Sequence, residues 1–289
     1  MKLCIDCAHV HNAVDWRCPH CRATPPTIQG FLAFAPSLAR ASGGMPDDSA
    51  TLLDALQGLS FWFRARNRLI IDLIRRYATD PRAILEIGCG TGFVLDAVSH
   101  AFPVAQLTGS EVSARALSFA RRRVGERVQL VQMDARHMPY DSEFDVVAAF
   151  DVLEHIAEDM KVLAAMTRAV RPGGYIILTV PQHPMLWSIT DEVAGHERRY
   201  RRRELSEKMS ASGLRVVLDT SFVASLFPAM LAQRLTKGSR RDYDPSDEFR
   251  LPRWVDRLFE FLLDTERHLI GYGVRFPFGG SRVVVARRP

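Results

Sequence analysis

The sequence predicts an α/β protein built on a doubly wound parallel sheet, and three observations carry that expectation. Residues 83–92 read Ala-Ile-Leu-Glu-Ile-Gly-Cys-Gly-Thr-Gly, an apolar run ending in an acid and three alternate glycines, and helical character follows over 93–98. Further apolar runs recur at 105–111, 128–134, 144–150 and 175–180, separated by segments long enough to cross over a sheet. The run at 144–150 is almost uninterrupted by polar residues, as in a strand covered on both faces.

The chain has 289 residues, 47% hydrophobic and 25% charged, which suits a soluble globular protein with one large domain and appendages. A net charge of +5 permits an anionic partner such as RNA or an acidic membrane surface without demanding one. Asp6, His9 and His11 interrupt the place where a signal peptide would be apolar. The longest apolar stretch, 222–232, contains Pro228 and is too short to span a bilayer. The sequence therefore reads as a cytoplasmic protein with reduced thiols and no transmembrane segment.

Four of the five cysteines crowd into the first 24 residues as Cys4-x-x-Cys7 and Cys18-Pro-His-Cys21. Two such knuckles place four thiolates around one ion, a set that suits structural Zn2+, and a ribbon this small has no core to hold it otherwise. Its task can be an RNA grip, a docking point or simple stabilisation. Residues 25–50, with Pro25, Pro26, Pro36, Pro46 and Gly43-Gly44, read as a linker. From 51 to 77 apolar residues fall at helical spacing, among them Leu52, Leu53, Leu56, Leu59, Trp62, Phe63 and Leu69, with Gly58 splitting the run into two helices.

The glycine spacing is GxGxG, without the GxGxxG of dinucleotide binders or a P-loop lysine. Glu86 to Gly92 resembles motif I of the class I S-adenosylmethionine (SAM) dependent methyltransferases. The resemblance covers roughly residues 60–220 and the last strand. It implies a Rossmann-like seven-stranded sheet with the last strand antiparallel, in a methyltransferase domain over 51–289 carrying a helical lid insertion at 222–273, and the cysteine spacing adds the zinc ribbon over 1–24. Glu111, ending the second strand, can accept hydrogen bonds from both ribose hydroxyls, as an acid does in NAD binders. In the family an acid at the position of Asp134 meets the adenine amino group, and 151–156 matches the motif after the fourth strand. The implied cofactor set is Glu86, Gly88, Cys89, Gly90, Gly92, Glu111, Val112, Asp134, Ala135, Phe150 and Asp151.

Segment 61–67 resembles the helix that covers the cofactor's methionine end, which makes Trp62 a substrate-side candidate as well as a core residue. The strongest charge run, Gly195 to Arg203, resembles the His-x-Arg-Arg-Tyr substrate loop of similar enzymes. It makes His183, Arg199 and Tyr200 candidates for substrate contact, with His155 and His196 as candidate general bases. The reaction implied is in-line methyl transfer to a small-molecule or lipid-like acceptor. An rRNA methyltransferase gripping RNA through ribbon and basic loop is the second choice, and a catalytically silent SAM- and zinc-binding adaptor the third.

Overall fold

Which strands become central follows from which runs are apolar on both faces. The computed structural model describes residues 1–40, 57–236 and 251–289, together with Thr51 and Asp54. A hairpin of β1 (Lys2–Leu3) and β2 (Val10–His11) opens the chain. Then come β3 (Thr27–Ile28), β4 (Phe31–Ala33) and helix α1 (Phe61–Tyr77). The alternating core runs β5 (Ala83–Ile87), α2 (Phe93–Ala101), β6 (Gln106–Glu111), α3 (Ala114–Val124) and β7 (Val128–Gln132). It continues through β8 (Phe144–Phe150), α4 (Asp159–Ala169) and β9 (Val170–Pro181). The remainder holds α5 (Ile189–Val193), α6 (Glu204–Ala211), β10 (Arg215–Phe222), α7 (Phe227–Thr236), α8 (Arg253–Gly271) and β11 (Ser281–Arg287).

The strands lie in the order β10-β11-β9-β8-β5-β6-β7-β4-β3. β5 pairs in parallel with β6 and β8, and β11 runs antiparallel to both its neighbours. The chain reverses its winding at β5, so the carboxyl ends of β5, β6, β7, β8 and β9 share one edge, where open sheets bind ligands. Two apolar layers cover the sheet: Leu69, Ile70, Leu95, Leu117 and Val283 lie in one, and Leu85, Val147, Leu163, Met166 and Leu178 in the other.

Among the described residues the sheet has nine strands where seven were expected. The additional pair comes from residues 27–33, which composition alone assigned to the linker. β4 adds in parallel to the free edge of β7, Leu32 opposite Val131, and β3 folds back on it around Gln29 and Gly30, both at positive φ. The buried Gln132 side chain holds this addition in place. It donates to the Ala35 carbonyl at 2.8 Å and accepts from the Ala35 N–H at 3.1 Å. A second difference is in β9, which begins at Val170 and carries the Arg171–Gly174 turn within the strand across a bulge against Phe144 and Val146.

Gly58 lies in a turn over 57–59, and Ser60 caps α1 by accepting from the Trp62 N–H. Leu59, expected on the apolar stripe, is exposed in that turn. Leu52, Leu53, Leu56, Gly43, Gly44, Pro46 and the charged segment 237–250 lie outside the described residues. In the region expected as a lid, Phe222 belongs to β10, while α8 lies along α1 in the same direction. Arg64 pairs with Asp256 and Glu260, Arg68 with Glu260 and Asp264, and Arg267 with Asp72. Among the described residues no helix is long and apolar enough to cross a membrane.

Gly109 in the middle of β6 has no room for a side chain. A Cβ there would clash with Leu95 and sit 2.9 Å from Leu130. Gly109→Ala is therefore expected to cost about 1–3 kcal/mol through overpacking. The check is a fall in the urea midpoint with the slope unchanged.

Candidate active site

The loop after β5 is shaped by steric demand on both sides and open space between. At Gly88 (φ +64°) a Cβ would stand 2.5 Å from Val152, and at Gly92 (φ +80°) one would stand 3.1 Å from Ala120. At Gly90 (φ +51°) a Cβ would meet nothing within 4 Å. The outer glycines thus let the loop pack, while the middle one faces open space where a ligand can reach the backbone. Cys89 turns inward and is buried, its N–H donating to the Ser110 carbonyl at 2.9 Å.

Glu111 stands beside this opening. Its carboxylate accepts from the backbone N–H groups of Gly90 at 3.1 Å, Val112 at 2.7 Å and Ser113 at 3.3 Å. Burial raises its pKa in spite of these three donors. Glu86, at the end of β5, is buried with one carboxyl oxygen unpartnered, and burial pushes its pKa up to about 8. Asp134 follows β7 and accepts from Arg136 through both oxygens. Burial acts to raise its pKa, but the Arg136 guanidinium holds it below the ordinary range. Ala135 is buried next to it.

Phe150, the last residue of β8, is buried, and Asp151 after it adopts φ +57°, a left-handed conformation that is strained for a non-glycine residue. Its carboxylate pairs with Arg66 of α1. Arg66 in turn lies over the Trp62 ring, 4.3 Å from its centroid. Trp62 therefore supports the arginine that meets Asp151.

The loop after β9 brings its polar residues against the loop after β8. The Glu197 N–H donates to the Glu154 carbonyl at 2.7 Å, and the rings of His155 and His196 meet edge-on at 4.7 Å between centroids. Asp191, on the short helix α5, collects His196 Nδ1 at 2.9 Å and Arg199 Nε at 2.7 Å, and caps its own helix through Ser188. Burial would raise its pKa, but His196 and Arg199 bring it down to about 2. Burial, and next to it the neighbouring His196 ring, lowers the His155 pKa to about 4, so that imidazole is neutral near pH 7. Glu154 is fully buried and its pKa is pushed well up by burial.

The structure thus brings His155, His196, Arg199 and Asp151 together. It does not bring Tyr200 with them. That ring is fully buried and its hydroxyl donates to Asp159 at 2.8 Å, so the expectation of substrate contact is corrected: an aromatic in a basic run has gone to the core. His183 sits further along, at φ +65°, with its ring 5.1 Å from that of Phe227 and Nε2 buried. Two arginines of the basic run are engaged internally, Arg198 with Asp159 and Arg199 with Asp191, leaving Arg201, Arg202 and Arg203 exposed. Sequence reasoning missed Arg66, Glu154 and Asp191. Glu154 had a signal in its place beside Asp151 and His155, whereas Asp191 had none.

A glycine loop opens between strand ends, flanked by acids at the ends of β5, β6 and β8. Residues 85–178, about a third of the chain, match the family profile described as methyltransferase domain, so this segment is similar to that family. A ubiquinone biosynthesis O-methyltransferase of Thiobacillus denitrificans is 31% identical over 103 residues, 34% of this chain and 44% of that protein. A phosphatidylethanolamine N-methyltransferase of Cereibacter sphaeroides is 36% identical over 101 residues, 33% of this chain and 48% of that protein. The chain thus spans about half the length of these curated relatives. The structure of phosphoethanolamine N-methyltransferase 2 of Haemonchus contortus, solved with S-adenosyl-L-methionine, gives a TM-score of 0.53 at 18% identity, covering 77% of this chain and 52% of that one, a likeness of fold.

Asp191 gives this region an acid limit. Its pKa lies below the ordinary 3.8 in the folded chain, so its contribution is present above that value and is lost as pH falls toward about 2. Acid unfolding followed by circular dichroism should show about 2 kcal/mol of stability lost across that window. In Asp191→Asn this part of the pH dependence should be missing.

Proposed function

We propose that the chain transfers a methyl group from SAM to a small-molecule or lipid-like acceptor by in-line displacement. The observation that carries this is the open space above Gly90 beside the Glu111 carboxylate, a cradle that a ligand's sugar and chain can occupy. The unpartnered oxygen of buried Glu86 fits the same ligand, because an ammonium group would satisfy it. Bound SAM supplies a methyl group on a positive sulfonium.

The residues would divide the work as follows. Glu111 would accept from the ribose hydroxyls, exchanging its present backbone donors for them, with Val112 alongside. Asp134 and Ala135 would border the adenine. Glu86, Gly88, Cys89, Gly90 and Gly92 would hold the methionine end, with Phe150 and the Arg66–Asp151 pair closing it. Their task is to align acceptor and methyl and to exclude water, which supplies most of what such a displacement needs. An acceptor arriving as a hydroxyl or ammonium must lose a proton, and His196, held by Asp191, and His155 are the residues at hand. His183 and Arg199 would border the acceptor on the far side.

The same proposal includes a structural Zn2+ in the ribbon and a reducing, cytoplasmic compartment. Cys4 and Cys21 sulfurs lie 3.6 Å apart and those of Cys7 and Cys18 3.7 Å. A disulfide would bring them to about 2 Å. Four thiolates at about 2.3 Å around one tetrahedral ion stand about 3.8 Å apart, which fits. The ribbon docks through Trp16, whose ring meets those of Phe34 at 4.6 Å and Tyr140 at 5.6 Å, and through the bridge between Lys2 and Tyr140.

An RNA acceptor has less support, since the internal pairs of Arg198 and Arg199 leave a shorter basic patch than the sequence suggested. Methyl-labelled SAM incubated with the full chain and fractionated extract should put label into low-mass or organic-soluble material. Label in nuclease-sensitive polymer would overturn the acceptor class. Calorimetry should show SAM binding weakened about tenfold or more in Glu111→Ala, in keeping with loss of a charge-assisted hydrogen bond worth ~1.5–3 kcal/mol. Metal analysis of the purified chain should find one tightly held zinc that is lost in Cys7→Ser/Cys18→Ser.

A further inference from the structure

We propose that Glu154, His155 and His196 form a second metal site, separate from the cysteine ribbon, which takes a divalent first-row ion on the acceptor side of the cofactor cleft. One ligand atom from each of the three lies within 4.8 Å of those of the other two. Glu154 is fully buried, yet neither of its carboxyl oxygens has a hydrogen-bond partner. His155 Nδ1 is likewise buried without a partner. Buried polar atoms are nearly always satisfied, and three unsatisfied atoms on two adjacent residues ask for a partner. These side chains do not satisfy one another, because no hydrogen bond joins Glu154 to either ring. Ligand atoms across an ion with bonds of about 2.0–2.2 Å stand roughly 3–4.2 Å apart, a spacing small rotamer movements reach from here.

His196 is already set for the task. Asp191 accepts from its Nδ1 at 2.9 Å, which fixes the tautomer and leaves the lone pair on Nε2. Arg199 and Ser188 hold Asp191 in turn. A carboxylate behind a histidine in this way is the usual support of a metal-binding ring. The Glu197–Glu154 backbone bond fixes the two contributing loops to each other, so the three donors converge before any ion arrives.

Two imidazoles and one carboxylate suit Zn2+, Mn2+, Fe2+ or Co2+ and leave coordination positions open. Resting on the methyltransferase reading, those positions suit a hydroxyl acceptor. With both imidazoles committed to the ion in place of the base role, coordination would lower the hydroxyl's pKa, its proton would pass to water, and its oxygen would form the new O–CH3 bond as the S–CH3 bond breaks, giving a methyl ether and S-adenosylhomocysteine.

The test is Mn2+ titration of the full chain holding one zinc, in the ribbon, and no free zinc, followed by electron paramagnetic resonance and water proton relaxation. One Mn2+ per chain with exchangeable water is expected. Glu154→Gln and His196→Asn should each raise its Kd tenfold or more, while SAM binding by calorimetry stays within twofold. The inference is overturned if the wild-type chain takes up no Mn2+, or if both folded variants bind it as the wild type does. Glu154→Gln changes a buried position, so His196→Asn, at a partly exposed ring, decides the matter should the first variant not fold. A wild-type chain that binds Mn2+ but not SAM would retain the metal site and defeat the methyltransferase reading instead.

Discussion

The pairing of β5 between β6 and β8 is the constraint on which the rest depends. With parallel neighbours on both sides, β5 has no free edge, and its residues are buried from Ile84 to Ile87. Each parallel strand must then be left by a loop on the same edge of the sheet. Gly88–Gly92, Glu111, Asp134 and Asp151 are far apart in sequence but share that edge. Nothing about any one of these loops requires the others. The sheet assembles them.

Two sets of acids on or near that edge differ in how their charge is compensated. Asp134, Asp159 and Asp191 are each matched by arginine or lysine, and their pKa values fall. Glu86 and Glu154 are buried with carboxyl oxygens unmatched, and theirs rise. A buried carboxyl without partners is costly unless it is protonated or meets a cation. The arginine- and lysine-matched acids hold loops together, whereas the unmatched oxygens are left for a ligand or ion to satisfy.

Much of this was legible in the sequence because it depends on local pattern. The GxGxG stretch, the apolar run of β8 and the acid closing β6 each announce their element through periodicity or backbone demand. The two additional strands were not legible. Residues 27–33 are too short to show a period, and they pair only because β7 leaves an edge free. Tyr200 was misjudged for a related reason: a charge run gives no sign of which member turns inward, and burial was decided by Asp159 on a distant helix. Asp191 could not have been singled out, since its role arises from two residues that the loop folds back upon it.

The strap between α1 and α8 joins residues distant in the chain, with Arg64 meeting Glu260 across 196 positions. During synthesis α1 emerges long before its partner, so its row of arginines and the neighbouring Phe61 wait exposed until α8 is released. Native docking of α8 on α1 is thus a late event in biogenesis. It is governed by the order of translation as much as by the strength of any single pair.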